Sequence, residues 1–413
     1  MMFLPRSLAA RLRLLIRHFP VVVVSGARQV GKSTLLAHEL PDWASVVLDP
    51  VIDTGNARTE PDLFLDAHPA PLIIDEVQYA PELVAAVKRR VDQDRRPGRY
   101  VLTGSQQWGV LRALSESLAG RAAFLDLEGL SVREQAGRGD GAGWLEPWLV
   151  AGPDAFLARP SELLPLGRPL HEVVWRGSLP EAWTLPPELV LAFHSAYRRT
   201  YIERDVRLLS NLSDHQRFGR FLQLVSALTA QEINHSQLGR ELDVAGSTAQ
   251  SWLGLLTATF QWCELPAWSG NTIKRVSLRP KGHIADTGLA CSALAISSPS
   301  ALAGHPNQGA LIESAWVGEV RKQAAAMAAP PNLYHWRSHR GAEVDLVLER
   351  DGRLFPIEMK ATTHPDRKTT SGIAAFREVY GAAVGPGLVI CAVDRPLRLT
   401  AQDLAIPWNL VIG

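Results

Sequence analysis

Near its start the chain reads Gly26-Ala27-Arg28-Gln29-Val30-Gly31-Lys32-Ser33, which places glycines, a lysine and a hydroxyl at the spacing GxxxxGK[ST]. The chemistry such a segment can do is phosphate binding. Glycines let the backbone wrap an anion, and the freed amides and a following helix N-terminus attract it. Lys32 then reaches the outer phosphates of a nucleotide, Ser33 offers an oxygen to Mg²⁺, and Thr34 is counted with the same loop. A chance glycine turn is the alternative; the valine run that enters the loop and the helical run that leaves it argue against that. Further on, Leu72-Ile-Ile-Asp75-Glu76 is an apolar run ending in two acids. Asp75 can hold Mg²⁺ directly or through water, and Glu76 is then placed to orient or deprotonate an attacking water. In Arg99-Tyr-Val-Leu-Thr103-Gly104-Ser105, either Thr103 or Ser105 senses a terminal phosphate, or the run is an ordinary strand end.

A second constellation lies late in the chain: Gly341-Ala-Glu-Val-Asp345, a turn through Arg350-Asp-Gly352, then Phe355-Pro-Ile-Glu358-Met-Lys360. Two strands joined as a hairpin bring Asp345 near Glu358, and a period of two puts Glu358 and Lys360 on one face. Two carboxylates can hold Mg²⁺, and the lysine can orient or activate a water for attack on a phosphodiester. The chain has seven lysines, Lys32, Lys88, Lys274, Lys281, Lys322, Lys360 and Lys368, among 43 basic residues. In a chain that otherwise uses arginine, lysine at both of these places is informative. The alternatives are an exposed charged hairpin, or a fold that binds DNA without cutting it.

These residues need elements to position them. Leucine and arginine alternate from Leu8 to Phe19 at helical spacing, Pro20 stops that helix, and Val21 to Val24 read as a strand buried on both faces. A helix at Lys32 to Leu40 follows, then apolar runs at Val46–Leu48, Leu72–Ile74 and Tyr100–Leu102, with helix between them at Pro81 to Val91. Alternating strand and helix predicts a parallel α/β sheet that fades after Leu130. Residues 135–170 are rich in Gly, Pro and Trp without a period and read as a connector or irregular lid. Helices are expected at His194 to Leu209 and Arg217 to Leu228, strand and turn at Val276 to Leu289, and strands at Leu333–Trp336, Ala342–Leu348 and Leu354–Met359.

The loop, the acid pair and the hydroxyl strand, in that order, resemble the AAA+ ATPases. With Leu118-Ala-Gly120-Arg121, Trp175-Arg-Gly-Ser-Leu-Pro-Glu181, Tyr201-Ile-Glu-Arg-Asp205, Pro280-Lys281 and Asp286-Thr-Gly288, most of the chain is similar to a bacterial and archaeal branch that joins an AAA domain to a C-terminal region of unknown function. The resemblance implies ATP and Mg²⁺ as ligands, Asp75 in the Walker-B place, and an ATP-favoured homo-oligomer, a ring. It makes Arg121 a sensor, an intersubunit finger, or merely a capping arginine. The late constellation resembles the PD-(D/E)xK nuclease fold, although Val344 rather than proline precedes Asp345. There an upstream helical glutamate, here Glu313, joins Asp345 and Glu358 at the metal. The expected fold is a P-loop AAA+ parallel-sheet domain (1–134), a connector (135–193), a helical and winged-helix domain (194–300), and an α/β restriction-nuclease-like domain (301–413).

The middle part rests on Ser236 to Leu242 and Ala249 to Leu256, which read as helix, turn, helix with Ser236 and Ser247 as N-caps. Such a unit either enters a DNA groove or packs against protein. From Arg198 to Lys281 there are eleven Lys/Arg against seven Asp/Glu, a mild basic excess that does not decide between them. DNA, branched or foreign, is the expected partner; the rival is a nucleotide-dependent scaffold that cuts nothing. A hydrophobic share of 46% and a formal charge of +1 exclude a disordered or fibrous chain. Cys263, Cys291 and Cys391 give neither a disulfide framework nor a zinc spacing, which suits a reducing cytoplasm. No run suits a membrane span. The twelve histidines show no HxH or HExxH pairing, and His335 and His339, four apart, lie across a strand and turn, which argues against a shared metal. The tryptophans, Trp144, Trp148, Trp175 and Trp183 among them, are read as core anchors.

Overall fold

A run of four valines stays out of water only in the middle of a sheet covered on both faces. In the computed structural model, which describes residues 3–105, 118–141, 143–201 and 215–412, those valines form β1 (Val21–Ser25), every residue buried. With β2 (Ala44–Val47), β3 (Leu72–Asp75), β4 (Tyr100–Gly104) and β5 (Ala122–Asp126) it makes a fully parallel sheet in the order β2-β3-β4-β1-β5. Helix Ala9–His18 precedes β1, and helices Lys32–Glu39, Pro61–Ala67 and Glu82–Gln93 lie between the strands in sequence. The last buries Leu83, Val84, Val87 and Val91 at helical spacing, in one core with Leu72, Ile74, Tyr100 and Leu102. The strand order matters for chemistry. Because β4 lies between β1 and β3, the carboxyl ends of those three strands stand side by side, Ser25 beside Gly104 and Ile74 beside Leu102. Open α/β sheets bind ligands at that edge.

The chain divides into two compact units, Met1–Leu130 with Leu256–Gln261, and Ser131–Leu255 with Trp262–Gly413. The parallel sheet belongs to the first. The second contains β6 (Ser161–Leu163), a three-stranded sheet of β7 (Gln231–Glu232), β8 (Trp262–Leu265) and β9 (Lys281–Ile284) in the order β7-β9-β8, and a larger mixed sheet. The larger one runs β10-β11-β12-β13-β15-β14, from β10 (Asn332–Arg337), β11 (Glu343–Arg350), β12 (Arg353–Met359), β13 (Gly387–Cys391), β14 (Leu397–Arg398) and β15 (Asp403–Pro407). β11 and β12 form the expected hairpin, with Leu346 opposite Ile357. Helix Ser371–Tyr380 covers it, Phe376 packing with Trp336, Val344, Val347 and Leu354.

Several expectations are corrected here. Residues 135–170 are not an irregular lid: helices Leu145–Val150 and Pro153–Leu157 bury Trp148 against Phe156, rings edge to face at 5.2 Å, and β6 pairs with β16 (Leu410–Ile412). Each element is too short to show a period. The run Val276 to Leu289 is the end of helix Thr272–Ser277, then β9, then helix Thr287–Ala293, whose cap Asp286 accepts from the Leu289 amide at 2.9 Å. The helix expected from His194 begins at Pro187 and is described to Tyr201; the motif residues 202–205 and the expected helix end at Leu209 lie outside the described residues. Helix His235–Glu241 is capped not by Ser236 but by Asn234, which accepts from the Gln237 amide at 3.2 Å. Ser247 lies inside helix Gly246–Ala258 rather than before it. That helix packs Trp252 edge to face on Phe218 and Phe221, at 5.7 and 5.4 Å.

Candidate functional site

The valine strand ends at Ser25, and the loop that follows turns back into helix Lys32–Glu39. Gly31 precedes that helix with φ 96° and ψ 25°, a left-handed conformation that a side chain disfavours. Lys32 is buried, and its Nζ donates to the Gly26 and Ala27 carbonyls at 2.8 and 3.0 Å. Two carbonyl oxygens of the loop thus accept from its own lysine. Ser33 Oγ donates to Asp75 Oδ2 at 2.6 Å across the gap between helix and β3, and Asp75 Oδ1 accepts from Thr103 Oγ1 on the intervening strand. Ser33, Asp75 and Thr103 thus meet at one sheet edge, as the loop chemistry requires.

Glu76 follows Asp75 with φ 60° and ψ 45°, strained for a residue that is not glycine. Its amide donates to Thr103 Oγ1 at 3.1 Å, which ties the strained turn to β4. The Glu76 carboxylate accepts from Gln78 Nε2, and that same nitrogen donates to Ser105 Oγ at 3.2 Å. Arg28 donates to the Tyr79 hydroxyl at 2.8 Å. Gln29 also has positive φ, at 60°, and Val30 is buried. The glycine loop and the Ser33–Asp75 hydroxyl–carboxylate pair beside it are a set of groups that fits a nucleotide phosphate with Mg²⁺ on Ser33 and Asp75.

Arg121 stands elsewhere. It precedes β5, whose first residue, Ala122, pairs with Val21, so it lies at the opposite end of the sheet from the loop. At ~3.3 Å of rise per strand residue, that is roughly 16 Å away. Its guanidinium donates to Asp92 at 2.6 Å and to the Ala119 carbonyl at 3.0 Å. A sensor of its own chain's phosphates is therefore not what this position provides.

In the second unit the hairpin delivers Asp345 and Glu358 to one place. Lys360 Nζ lies 2.8 Å from Glu358 and 3.2 Å from Asp345. Asp345 also accepts from the Met359 amide at 2.9 Å. Helix Ser371–Tyr380 comes so close that a Cβ on Gly372 would lie 2.0 Å from the Glu343 carbonyl and 2.4 Å from the Glu358 carboxylate. Opposite Lys360 stands a lysine that sequence reasoning left without a role. Lys281, the first residue of β9, is buried with Nζ 2.6 Å from Glu313, in contact with Glu343, and 3.9 Å from Asp345. Two lysines and four carboxylates thus alternate in one chain of charge.

Burial, then the charge of Asp345, pushes Glu313 up to about 8 despite Lys281, and the same two causes raise Glu358. Burial works against both ammonium groups. The surrounding carboxylates outweigh it, so Lys281 and Lys360 stay charged. Asp345 and Glu358 converge on a cation position and so fit a divalent ion as a pair. The expected triad with Glu313 is not drawn together, since Lys281 engages Glu313, and among the described residues no three His, Cys, Asp or Glu side chains form a metal-holding group.

Residues 18–136 match the family described as an AAA domain, while 167–300 and 308–411 match two domains of unknown function. An uncharacterised protein of Mycobacterium tuberculosis is 32% identical over 412 residues, covering 98% of this chain and 84% of that protein, and one of Mycobacterium bovis gives the same figures. The chain belongs to their family of AAA-domain P-loop ATPases. Among solved structures, the Walker-type ATPase of Pyrococcus abyssi is similar at 16% identity and TM-score 0.41, over 70% of this chain and 96% of that one.

Other parts of this AAA ATPase prove structural. The motif residues Trp175–Glu181 and Asp286–Gly288 pack on each other: Asp286 accepts from the Ser178 amide and hydroxyl at 2.6 and 2.9 Å, and buried Arg176 donates to the Ala182 and Leu185 carbonyls at 3.0 and 2.7 Å. His335 is buried with Nε2 3.1 Å from the Arg279 carbonyl and His339 is exposed, so they form no pair. Arg6, unremarked in the sequence, donates to the Val30 carbonyl and to the Glu128 carbonyl, each at 2.6 Å, and so braces the phosphate loop. Only its burial distinguishes it. For Lys281 a signal existed: it is one of seven lysines and follows a proline in a family motif. Glu343 shares the face of Asp345 by the period of two. Among the described residues no helix is long and apolar enough to cross a membrane.

Proposed function

We propose that this ATPase binds and hydrolyses ATP with Mg²⁺ and acts on DNA through a restriction-nuclease-like C-terminal domain, as a cytoplasmic homo-oligomer. Lys32 exchanges the Gly26 and Ala27 carbonyls for the β- and γ-phosphates, an exchange of neutral partners for an anion. Ser33 and Asp75 hold Mg²⁺, which neutralises charge on the transferred phosphoryl group. Glu76 orients and deprotonates the attacking water, and Thr103 and Ser105 read the γ-phosphate from the adjacent strand tip. Arg121, remote from its own loop, serves a neighbouring subunit as a finger, and assembly follows ATP. Helices His235–Glu241 and Gly246–Ala258 with the β8–β9 pair make a winged helix, whose second helix meets DNA.

The observation that carries the DNA reading is the convergence of Asp345 and Glu358 on Lys360, at 3.2 and 2.8 Å. As a pair these carboxylates hold a divalent ion, which supplies a more acidic water. Lys360 stabilises the negative charge that develops as a phosphodiester is attacked. One observation favours a second reading, a DNA-binding ATPase that does not cleave: Glu313 is already engaged by Lys281 at 2.6 Å. ATP turnover and strand cleavage measured with duplex, single-stranded and branched DNA, with and without Mg²⁺, separate the possibilities. DNA-stimulated turnover with metal-dependent cleavage is expected. Stimulation without cleavage in Mg²⁺ or Mn²⁺ selects the second reading, and no effect of any DNA leaves a nucleotide-dependent scaffold.

A further inference from the structure

The alternating charges around Asp345 contain more carboxylates than ammonium groups. Glu313 comes from helix Gln308–Ala326, Glu343 and Asp345 from β11, and Glu358 from β12. Against these four stand Lys360 and Lys281, so the cluster has two more carboxylates than ammonium groups. The two lysines are not equivalent. The Lys360 side chain is 42% exposed and touches Asp345 and Glu358, whereas the Lys281 side chain is 4% exposed and touches Glu313, Glu343 and Asp345. An ammonium group buried that deeply is stable only while its carboxylates remain, and they are stable only while it does. Lys281 therefore fills, with a covalently tethered cation, the place where a metal ion would draw Glu313 and Asp345 together.

We infer that Lys281 is an internal counter-cation that withholds Glu313 from the metal site, so that the site loads a divalent ion weakly through Asp345 and Glu358 until Lys281 is displaced. This rests on the reading of the Asp345–Glu358 pair as a metal site. The lysine is carried by β9, which is hydrogen-bonded to both β7 and β8, so it belongs to the three-stranded sheet and not to the sheet that carries β11 and β12. Metal loading is thereby tied to the placement of a separate element, a positioning role that no group on the hairpin itself could play.

The test is Mn²⁺ binding by the full chain, free of nucleotide and DNA, followed by the electron paramagnetic resonance of free Mn²⁺, with Asp345→Ala as the baseline. Lys281→Gln is expected to bind one Asp345-dependent ion about tenfold or more tightly than the wild type, the size typical of gaining a metal partner. Lys281→Gln with Glu313→Gln should lose that gain, and Lys281→Arg should stay weak. Because Lys281→Gln strands buried carboxylates and can fail to fold, Glu313→Gln alone supplies a second test. With Lys281 in place it should change Mn²⁺ affinity less than about twofold, whereas a tenfold loss there overturns the inference. Equal Asp345-dependent affinity in the wild type and Lys281→Gln overturns it too while leaving the metal-site reading intact. If no variant binds Mn²⁺ in an Asp345-dependent way, the metal-site reading fails and takes the inference with it.

Discussion

Two buried lysines of this chain are held in opposite ways. Lys32 donates to the carbonyls of Gly26 and Ala27, at 2.8 and 3.0 Å, in a loop whose strain is confined to a few backbone positions. Lys281 is held by carboxylates, Glu313 at 2.6 Å, Glu343 in contact and Asp345 at 3.9 Å. Carbonyl partners give up a cation readily to an arriving phosphate, because full charge competes with dipoles. A cage of full charges does not, since removing the lysine leaves uncompensated buried carboxylates that cost several kcal/mol. The first lysine is poised to meet a ligand. The second stands in for one. The same residue type, equally buried, thus marks a ready site in one unit and a restrained site in the other.

The sharpest way to break this contrast is Lys32→Ala. Losing the cation that meets the β- and γ-phosphates should weaken ATP binding by about a hundredfold or more, read by titration with a labelled analogue, because charge-assisted contacts to phosphate are the strong ones. Unchanged affinity would show that Lys32 does not leave the Gly26 and Ala27 carbonyls for phosphate. Glu76→Gln should leave ATP affinity within about twofold but slow turnover by roughly 10²–10⁴, the range general-base loss spans. Asp345→Ala should abolish metal-dependent strand cleavage, a loss of about tenfold or more, with ATP turnover kept. Loss of ATP turnover in that variant would mean that the two sites do not act separately. A smaller effect is expected of Gly372→Ala. Its new Cβ would meet the Glu343 carbonyl at 2.0 Å, so helix Ser371–Tyr380 must shift. That should cost about 1–3 kcal/mol in urea unfolding. An unaltered midpoint would mean that Glu358 is held less tightly against that helix than its neighbours suggest.

The same contrast explains what could be read from the amino-acid order. The phosphate loop is one continuous segment whose glycines, lysine and serine do their work locally, so its spacing survives in the sequence, and a buried valine strand predicts its own place. Asp75, Glu76 and Thr103 follow because each ends a short apolar run. The charge cluster is instead gathered from β9, a long helix and two strands, and no local pattern announces that Lys281 reaches Glu313. The strand reading holds at Lys281 itself, but a four-residue strand says nothing of which carboxylates lie against it. Arg121 was legible as a motif residue but not in position, because parallel register, not sequence, puts it at the far end of β5. The segment 135–170 failed for another reason: helices of six and five residues are too short for periodicity to rise above composition. Arg6 failed for want of any pattern at all, since a brace to two backbone carbonyls needs only a side chain of the right length.

The smallest effect separates burial from charge pairing as the source of restraint in the second unit. Glu319 is fully buried and held by dipoles, accepting from the Val132 amide at 2.9 Å and from Gln323 Nε2 at 3.0 Å, so it resembles Lys32 in its partners and Lys281 in its depth. Burial, the largest cause, lifts its pKa above the ordinary 4.5 despite the nearby Lys322 charge and those two hydrogen bonds. The folded state therefore holds the Glu319 proton more tightly than the unfolded chain does. The resulting stability is fully present below the unfolded value of 4.5 and is lost as pH rises through the folded one. Glu319→Gln keeps an acceptor for the Val132 amide but cannot titrate. Urea midpoints measured from pH 5 to pH 9 should thus move in favour of the variant as pH rises, by on the order of 1 kcal/mol. Glu313 and Glu358 titrate alike in both proteins and cancel in the difference. A difference that stays flat with pH would mean that the Val132 and Gln323 hydrogen bonds, with the nearby Lys322 charge, keep a buried carboxylate ionised in this unit.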